Sequence, residues 1–343
     1  MPGHDIIVIG ASAGGVEAML QLVRQLPADL PAAVFLVLHV PPNAPSVMPS
    51  LLERAGPLSA AHPEHGAPIV HGRIYIAPPN RHLLVKRGRV HLSAGPRENG
   101  HRPAVDPLFR SAALAYGPRV VGVVLSGNLD DGTAGLQAVK ARGGVAVVQD
   151  PGEALYSGMP RSTVENVSVD HVLRLSEIPG ELARLAREPV AEGAGTVPDE
   201  MKEELDAVEM TVESAEGNTP PGRVTGLTCP ECHGAMYELR YGELIRFRCR
   251  VGHAYSADTL QAEQAQYLEA ALWTALRALE ENTILTRRLA ERARKNGNHA
   301  RAARLTDQAQ LVESRAEVIR GVLRGGVVVA TEAATADLSS AHS

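Results

Sequence analysis

The sequence predicts an α/β protein built on a doubly wound, mostly parallel sheet, with two smaller modules after it. Two observations predict the sheet. Over about the first 185 residues, short aliphatic and β-branched runs alternate with segments whose apolar residues recur at helical spacing. Several of those runs end directly at glycine, proline or a polar residue, as buried parallel strands do. A change of composition further along the chain marks off the smaller modules.

Composition limits the classes of function. The chain has 343 residues, enough for two or three domains, and a formal net charge of −5, which argues against a general nucleic-acid binder. Its longest apolar run, residues 32–38, is far too short to span a bilayer, so we expect no membrane insertion. The three cysteines all lie at or after Cys229, which is a poor disulfide framework. With no leader pattern at the start, we expect a cytoplasmic protein.

The first strand is followed by a serine in a glycine-rich turn. Apolar residues 6–9 predict a strand buried on both faces, and residues 16–26 predict a helix. Between them, Ser12 stands among Gly10, Gly14 and Gly15. A serine on such a turn is exposed beside free backbone N–H groups, as a nucleophile with an oxyanion hole requires. This stretch alone leaves three interpretations open: a nucleophile, a phosphate-binding loop and merely tight packing.

Further strands and helices follow in alternation. Residues 34–38 predict a second buried strand that ends at His39, before a proline pair. The later elements are a helix over 45–55, a strand over 73–77, a hairpin over 83–92, a helix over 106–116, a strand over 120–125, a helix over 133–142 and a strand over 145–148.

Three chemically related side chains fall at carboxyl ends of predicted strands. They are Ser12, His39 and one of the pair Asp130 and Asp131, and function in a parallel sheet gathers at that edge. Nucleophile, base and orienting carboxylate are the parts of a hydrolytic triad. A structural histidine and an ordinary Asp-Gly turn remain alternatives for each residue alone. A dinucleotide site would need an acidic residue where His39 stands.

Six separated motifs then follow one another along the chain. They are GASAGG at 10–15, His39 with Pro41, GRIYIAPPNRH at 72–82, HRPAVDPLF at 101–109, LSGNLDDG at 125–132 and GMPR at 158–161. Together they resemble the catalytic domain of the chemotaxis protein-glutamate methylesterases, the CheB family, over about residues 4–186. The resemblance implies a CheB methylesterase-like fold, with Ser12 as nucleophile, His39 as its base and Asp131 orienting His39; Asp130 is the second choice.

The resemblance also suggests the surroundings of the site. Backbone N–H groups near Ala13 and Asn128 would hold the oxyanion, and Arg161 and the pair His101-Arg102 would be substrate-positioning or structural groups. Ala13 stands where the family often has threonine, and Asn128-Leu129 replaces the usual Met-Gly. Backbone donors survive such changes, so we expect the chemistry to persist and the fit of substrate near Asn128 to differ. Without the family's usual receiver domain, we expect no switching by phosphorylation in cis.

An acidic stretch follows the methylesterase-like region. Residues 187–221 hold ten acidic side chains against Arg187 and Lys202, a composition typical of a solvated linker. Residues 199–212 could form an exposed acidic helix instead.

Two pairs of soft metal ligands come next. Cys229 and Cys232 form the first pair, and Cys249 and His253 the second, which together suit a tetrahedral structural zinc with no open position. About 35 residues bury too small a core, so the metal would supply folding energy to a zinc ribbon with strands at 234–241 and 244–249. A redox dithiol is the alternative for the first pair. Four ribbon arginines leave nucleic-acid binding as a minor option: Arg240, Arg246, Arg248 and Arg250.

From residue 258 the pattern is helical. Two apolar repeats predict an antiparallel hairpin broken at residues 295–298, one through Leu268, Leu272, Ala275 and Leu279 and one through Leu305, Ala309, Val312, Ala316, Ile319 and Leu323. Trp273 is expected in the hairpin core. Residues 325–343 are expected to be a disordered tail.

The sequence therefore predicts a cytoplasmic serine esterase that hydrolyses glutamate methyl esters on a chemoreceptor-like protein, and the resemblance implies glutamine deamidation as a second activity. No cofactor other than one structural zinc is expected. The alternatives are a silent CheB-like protein that binds a signalling partner through its ribbon and hairpin, and a nucleotide-binding regulator. The predicted domains are a methylesterase domain 1–186, an acidic linker 187–223, a zinc ribbon 224–256, a helical hairpin 257–324 and a tail 325–343.

Overall fold

The computed structural model describes residues 3–43, 45–190, 199–209, 222–241 and 244–326. Contacts between residues divide the chain into two units, Met1–Leu260 and Gln261–Ser343. Among the residues described, no helix is both long and apolar enough to cross a bilayer. The predicted tail lies outside the described residues from 327 onward.

The first unit opens with alternating strands and helices. Their bounds are β1 (Ile6–Ala11), α1 (Gly15–Arg24), β2 (Ala33–Leu38), α2 (Met48–Ala55), β3 (Ser59–Ala61), β4 (Arg73–Ile76), β5 (His82–Lys86), β6 (Arg89–Ser93), α3 (Val105–Tyr116), β7 (Val120–Val124), α4 (Thr133–Ala141), β8 (Val145–Gln149), α5 (Gly158–Asn166), β9 (His171–Leu173) and α6 (Ile178–Leu185).

Seven strands form one sheet in the order β3-β4-β2-β1-β7-β8-β9, and every pairing is parallel. Alternate residues of β1 enter two different cores: Ile7 and Ile9 pack with the buried side of α1, and Ile6 and Val8 pack with that of α3. Burial on both faces explains the continuous apolar runs. The chain leaves β1 toward β2 on one side and reaches β7 on the other, which makes a topological switch point at β1. The doubly wound fold is confirmed.

An acidic helix, α7 (Asp199–Glu209), lies within the predicted linker. The structure differs here from a solvated segment, because Glu204, Ala207 and Val208 are buried. Glu204 forms an ion pair with Arg110 of α3, 3.0 Å between Oε2 and Nη1, so a helix that is acidic overall still has a partner inside the fold. Residues 191–198 and 210–221, including the expected helix end at 212, lie outside the described residues.

A four-stranded antiparallel sheet forms the ribbon, from β10 (Arg223–Thr228), β11 (Ala235–Tyr241), β12 (Leu244–Cys249) and β13 (Ala254–Ser256). Its small core gathers Met236, Tyr255 and Leu260 around two of the cysteines. The ribbon also pairs with the loop after β6, where Asn99 N donates to Ala254 O at 2.7 Å and Ala254 N donates to Arg97 O at 3.2 Å. The ribbon is thus docked on the sheet domain.

The second unit contains the hairpin made by α8 (Ala257–Lys295), which begins in the first unit, and α9 (His299–Arg324). Ion pairs Arg320–Glu280 and Arg287–Glu313 show that the helices run antiparallel. All six predicted seam positions of α9 are buried or half-buried.

The predicted seam of α8 is wrong at two of its four positions, since Leu268 and Ala275 are exposed, whereas Leu272 and Leu279 are half-buried. Beyond Leu260, the buried positions of α8 are Leu276, Thr283, Thr286, Ala290 and Ala293. Trp273 is 55% exposed and bonds Glu269 instead of filling the core, which corrects that expectation too. Small residues take most of the fully buried positions of the hairpin, which are Thr283, Thr286, Ala290 and Ala293 in α8 and Ala302, Ala309 and Ala316 in α9. The apolar pattern therefore located part of the buried face of α8 and missed its continuation through threonine and alanine.

Candidate active site

Ser12, His39 and Asp131 meet at the carboxyl edge of the sheet. Ser12 follows β1, His39 follows β2, and Asp131 lies in the loop after β7. Because β1 lies between β2 and β7, the three side chains converge. The distance from His39 Nδ1 to Ser12 Oγ is 3.1 Å, and from His39 Nε2 to Asp131 Oδ2 it is 2.7 Å. The structure brings together the three residues that the sequence grouped.

The turn that carries Ser12 is tied down by its backbone. Ser12 N donates to Ser126 O at 3.0 Å, and Gly15 N donates to Ser12 O at 2.9 Å. Gly14 has a φ of 71°, a left-handed conformation that glycine adopts freely, and α1 starts at the next residue. The half-buried Ser12 side chain is thereby held at the end of the strand.

Four N–H donors surround the carboxylate of Asp131. Oδ2 accepts from His39 and from Val105 N, the latter at 2.7 Å. Oδ1 accepts from Asn99 Nδ2 at 2.9 Å and from Asp106 N at 3.2 Å. Burial alone would raise the pKa of Asp131, but the bonds from His39, Val105 and Asn99 outweigh it and the pKa is lowered. The carboxylate is therefore charged and accepts from His39.

The acceptor role of Asp131 decides the tautomer of His39. Because the carboxylate only accepts, His39 carries its proton on Nε2, and Nδ1 is left with a lone pair toward Ser12 Oγ. This arrangement can remove the serine proton and stabilise the imidazolium that results.

His101 is stacked on His39, with ring centroids 3.7 Å apart and an angle of 18° between the planes. Burial, followed by the nearby His39, lowers the pKa of His101 to about 4, so the ring is neutral at neutral pH. Its neighbour Arg102 donates to Asn80 Oδ1 and to the carbonyls of Ala94 and Gly95.

Asp130, the second choice for the orienting carboxylate, faces the ribbon. Its Oδ1 accepts from Ser256 Oγ and from Thr259 Oγ1, both at 2.7 Å. Burial raises the pKa of Asp130, against the effect of these two hydroxyl donors. Of the two adjacent aspartates, Asp131 therefore contacts His39, and Asp130 contacts Ser256 and Thr259.

The predicted oxyanion donor Ala13 follows Ser12 directly in the chain, and the backbone next to Asn128 lies close to Ser12. Gly127 lies so close that a Cβ built there would be 3.0 Å from Ser12 Cβ, which brings the backbone before Asn128 against the serine. In this part of the described chain, the N–H groups of Ala13 and Asn128 donate to no other protein group. Arg161 is exposed on α5, where its guanidinium lies 3.5 Å from Ser157 Oγ.

The four predicted metal ligands form one cluster, with all ligand atoms within 4.8 Å of one another. His253 Nδ1 lies 3.6 Å from both Cys229 Sγ and Cys249 Sγ, and Cys232 Sγ lies 3.5 Å from Cys249 Sγ. His253 Nε2 is 3.0 Å from Glu231 Oε2, the carboxylate partner typical of a metal-bound imidazole. Three thiolates and one imidazole in this arrangement can hold a metal ion.

A buried ion cluster joins the ribbon to the triad, and sequence reasoning missed it. Six residues, each at most 4% exposed, make it up: Glu98, Asp106, Glu204, Arg110, Arg246 and Arg248. Two of the ribbon arginines considered for nucleic-acid binding are therefore inside the protein. Asn99, which bridges this cluster to Asp131, was also missed. No local pattern marks these residues, because their partners are up to 148 positions away.

Known proteins match the part of the chain that forms the parallel sheet and its helices. Residues 7–182 match the family described as CheB methylesterase. A protein-glutamate methylesterase/protein-glutamine glutaminase 2 of Anaeromyxobacter dehalogenans is 40% identical over 53% of this chain and 54% of its own length. A putative enzyme of the same name from Leptospira interrogans is 38% identical over 53% of this chain and 95% of its own length.

A solved structure, the CheB methylesterase catalytic domain of Thermotoga maritima, matches 53% of this chain and 98% of its own at 34% identity and a TM-score of 0.51. This chain spans only about half the length of several of the curated relatives that it matches. The matches cover the sheet domain and about half of this chain.

Proposed function

Because the chain belongs to the CheB methylesterase family, we propose that it is a serine esterase that hydrolyses glutamate methyl esters on a protein. The observation that carries the proposal is the relay from Ser12 through His39 to Asp131, with both hydrogen bonds in place. Relatives are named for both methylesterase and glutaminase activity, so glutamine deamidation is a second reaction to test.

The first half-reaction acylates the serine. His39 Nδ1 takes the Ser12 proton as Oγ attacks the ester carbonyl, and the negative oxygen that forms is held by the N–H groups of Ala13 and Asn128. The bond to the methoxy group then breaks, and His39 returns the proton so that methanol leaves. Asp131 keeps the imidazolium oriented and compensates its charge.

The second half-reaction restores the enzyme. Water gives a proton to His39 and attacks the acyl carbon, and Ser12 leaves with that proton. The products are a glutamate side chain and free Ser12. A glutamine substrate would follow the same steps with ammonia as the leaving group.

The substrate that we propose is a methylated signalling protein of the chemoreceptor type, in chemotaxis or a related pathway. The family's name supports it, and Ser12 is half-buried at the carboxyl edge of the sheet, where a substrate side chain would reach it. Arg161, exposed on α5, is a candidate contact to an acidic receptor surface. A cytoplasmic location accords with three cysteines gathered at one cluster and with an intracellular substrate.

The metal that we propose for the cluster is one structural zinc. Three sulfurs and His253 Nδ1, with Glu231 behind the imidazole, supply four ligands, which leaves no position for catalysis. A bound zinc ion would contribute folding energy to the ribbon. Catalysis itself would use only the side chains and backbone N–H groups at the edge of the sheet.

The test is labelling with a fluorophosphonate probe, followed by intact-mass analysis and turnover of a methylated peptide. We expect one adduct on Ser12, lost in Ser12→Ala, and a fall in turnover of roughly 10³-fold or more. Ser50→Ala, on the exposed side of α2, is the matched control and should label like wild type. A folded wild-type protein without an adduct would refute the esterase and favour the silent, partner-binding alternative.

A further inference from the structure

The loop between β6 and α3 is held by the ribbon on one side and carries active-site groups on the other. Residues 98–101 form a tight turn that two backbone hydrogen bonds close: Glu98 N donates to His101 O, and His101 N donates to Glu98 O. Within this turn, Asn99 supports Asp131 and His101 stacks on His39. The ribbon strand β13 bonds the same turn through Ala254. Ribbon and triad thus share one short segment.

Asn99 is fixed from both directions. Its Oδ1 accepts from Ser256 N of the ribbon at 3.0 Å, so its Nδ2 must face the carboxylates. There Nδ2 donates to Asp131 Oδ1 at 2.9 Å and to Asp106 Oδ2 at 3.1 Å. The amide therefore links two buried carboxylates, which repel each other unless a cation stands beside them.

The cation is Arg246 of β12. Its Nη1 donates to Asp106 Oδ2 at 2.7 Å, the oxygen that also accepts from Asn99, and its Nη2 donates to Glu98 Oε2 at 3.0 Å. Its Nε lies 3.3 Å from Glu204 Oε1. Arg246 is 1% exposed. Solvent therefore does not screen its charge. Only Asp106 and Asn99 lie between Arg246 and Asp131 in the chain of hydrogen bonds.

Charges in this cluster balance: three carboxylates face three guanidiniums. Arg110 and Arg248 are the other two cations, and Arg248 lies 3.5 Å from Glu204 and 3.9 Å from Glu98. Without Arg246, the charged groups that act on Asp106 would be the carboxylates of Asp131 and Glu98 and the single guanidinium of Arg110. Burial already raises the pKa of Asp106 to about 6, with Arg246 opposing the rise. Loss of Arg246 thus favours a protonated Asp106 that Asn99 no longer bonds well.

We infer that Arg246 is a positioning residue for the triad, and that the ribbon completes the active site by supplying it. Arg246 acts by keeping Asp106 ionised, which holds Asn99 and, through Asn99, the carboxylate that orients His39. The reaction in question is the esterase chemistry proposed above, and on that point the inference rests on the proposed function.

The test compares the rate of phosphonate labelling of Ser12 against pH in the full-length protein. We expect Arg246→Met to move the acidic limb of the profile, where the rate falls as the pH is lowered, up by about one pH unit. Labelling should then be about twofold slower than wild type near neutral pH and roughly tenfold slower well down the limb. Arg246→Lys keeps the charge and should return the limb to its wild-type position. Arg246→Gln, which can still donate to Asp106, is the second variant should the methionine variant not fold, and its limb should shift as well.

Two other ribbon arginines serve as controls. Arg248→Met removes an equally buried cation of the same cluster that faces Glu204 instead of Asp106, so it should lower stability without moving the limb. Arg240→Met, on the exposed surface, should change neither. A rate that falls by one factor at every pH in Arg246→Met would overturn the inference.

A second readout does not depend on the reaction. The proton on His39 Nε2, bonded to Asp131, should give a downfield NMR resonance in wild type and Arg246→Lys that is lost or shifted in Arg246→Met. If wild-type Ser12 is never labelled, the proposed function fails, and this resonance still decides about Arg246. Its retention in Arg246→Met refutes the positioning role.

Discussion

Asp131→Asn tests the relay most directly, because all four groups that contact this carboxylate are donors. An asparagine side chain offers one oxygen and one NH₂ group. With its oxygen toward His39 and Val105, the NH₂ group would oppose both Asn99 Nδ2 and Asp106 N. With the amide flipped, only Val105 N loses its acceptor, provided that His39 moves its proton to Nδ1.

The flipped orientation leaves fewer buried donors unpaired, so we expect it to be the stable one. The unfolding free energy should then fall by about 1–3 kcal/mol, the cost of one buried donor without a partner. In this orientation Nδ1 donates to Ser12 and cannot take its proton. Labelling of Ser12 should therefore slow by roughly 10⁴-fold, far more than the loss of stability implies.

The assays are urea unfolding and the rate of phosphonate labelling. Asp130→Asn is the matched control, since an amide oxygen can still accept from both hydroxyl groups that Asp130 bonds. It should label within about threefold of wild type. A labelling rate in Asp131→Asn within tenfold of wild type, at the expected loss of stability, would refute the role given to Asp131.

Three further predictions concern the metal, pH and the hairpin. Removal of metal by a chelator should speed hydrogen exchange in the ribbon and in residues 97–101, which the ribbon bonds; unchanged exchange in both would argue against a structural metal. Because burial lowers the pKa of His101 to about 4, the folded protein binds fewer protons than the unfolded chain between pH 4 and 6.5. Stability should therefore rise with pH across that window, by at most about 3 kcal/mol, and urea unfolding of His101→Gln should show a smaller rise, whereas His71→Gln, half exposed, should keep it. Ala309→Leu should destabilise the hairpin by about 1–3 kcal/mol through overpacking, while Leu311→Ala should cost less than about 0.5 kcal/mol; equal thermal shifts would contradict the observed seam.

Much of the site could be predicted because its parts follow buried strands. Strands β1, β2 and β7 are marked by continuous apolar runs, and a parallel sheet collects the residues after them at one edge. Local spacing likewise picked out the four residues of the cluster that could hold a metal ion, since each pair lies on one tight turn. The edge strands β3 and β9, three residues each, are too short to leave such a pattern.

Other features depended on contacts that no local pattern carries. The buried face of α8 continues through threonine and alanine, whereas Leu268, Ala275 and Trp273 lie on the exposed face. The acidic composition of residues 187–221 favoured a solvated linker, yet Glu204 is buried against Arg110 and Arg246. Charge is buried only where a distant partner compensates it.

The sequence by itself determined the fold class, the residues at the edge of the sheet and the cluster of cysteines and histidine in the ribbon, because strand burial, turns and residue spacing are local properties. The tertiary structure alone decided which imidazole nitrogen faces Ser12, that Asp130 faces Ser256, and that Arg246 lies beside Asp106. These are pairings between residues far apart in the chain, and their choice depends on how the ribbon docks on the sheet domain.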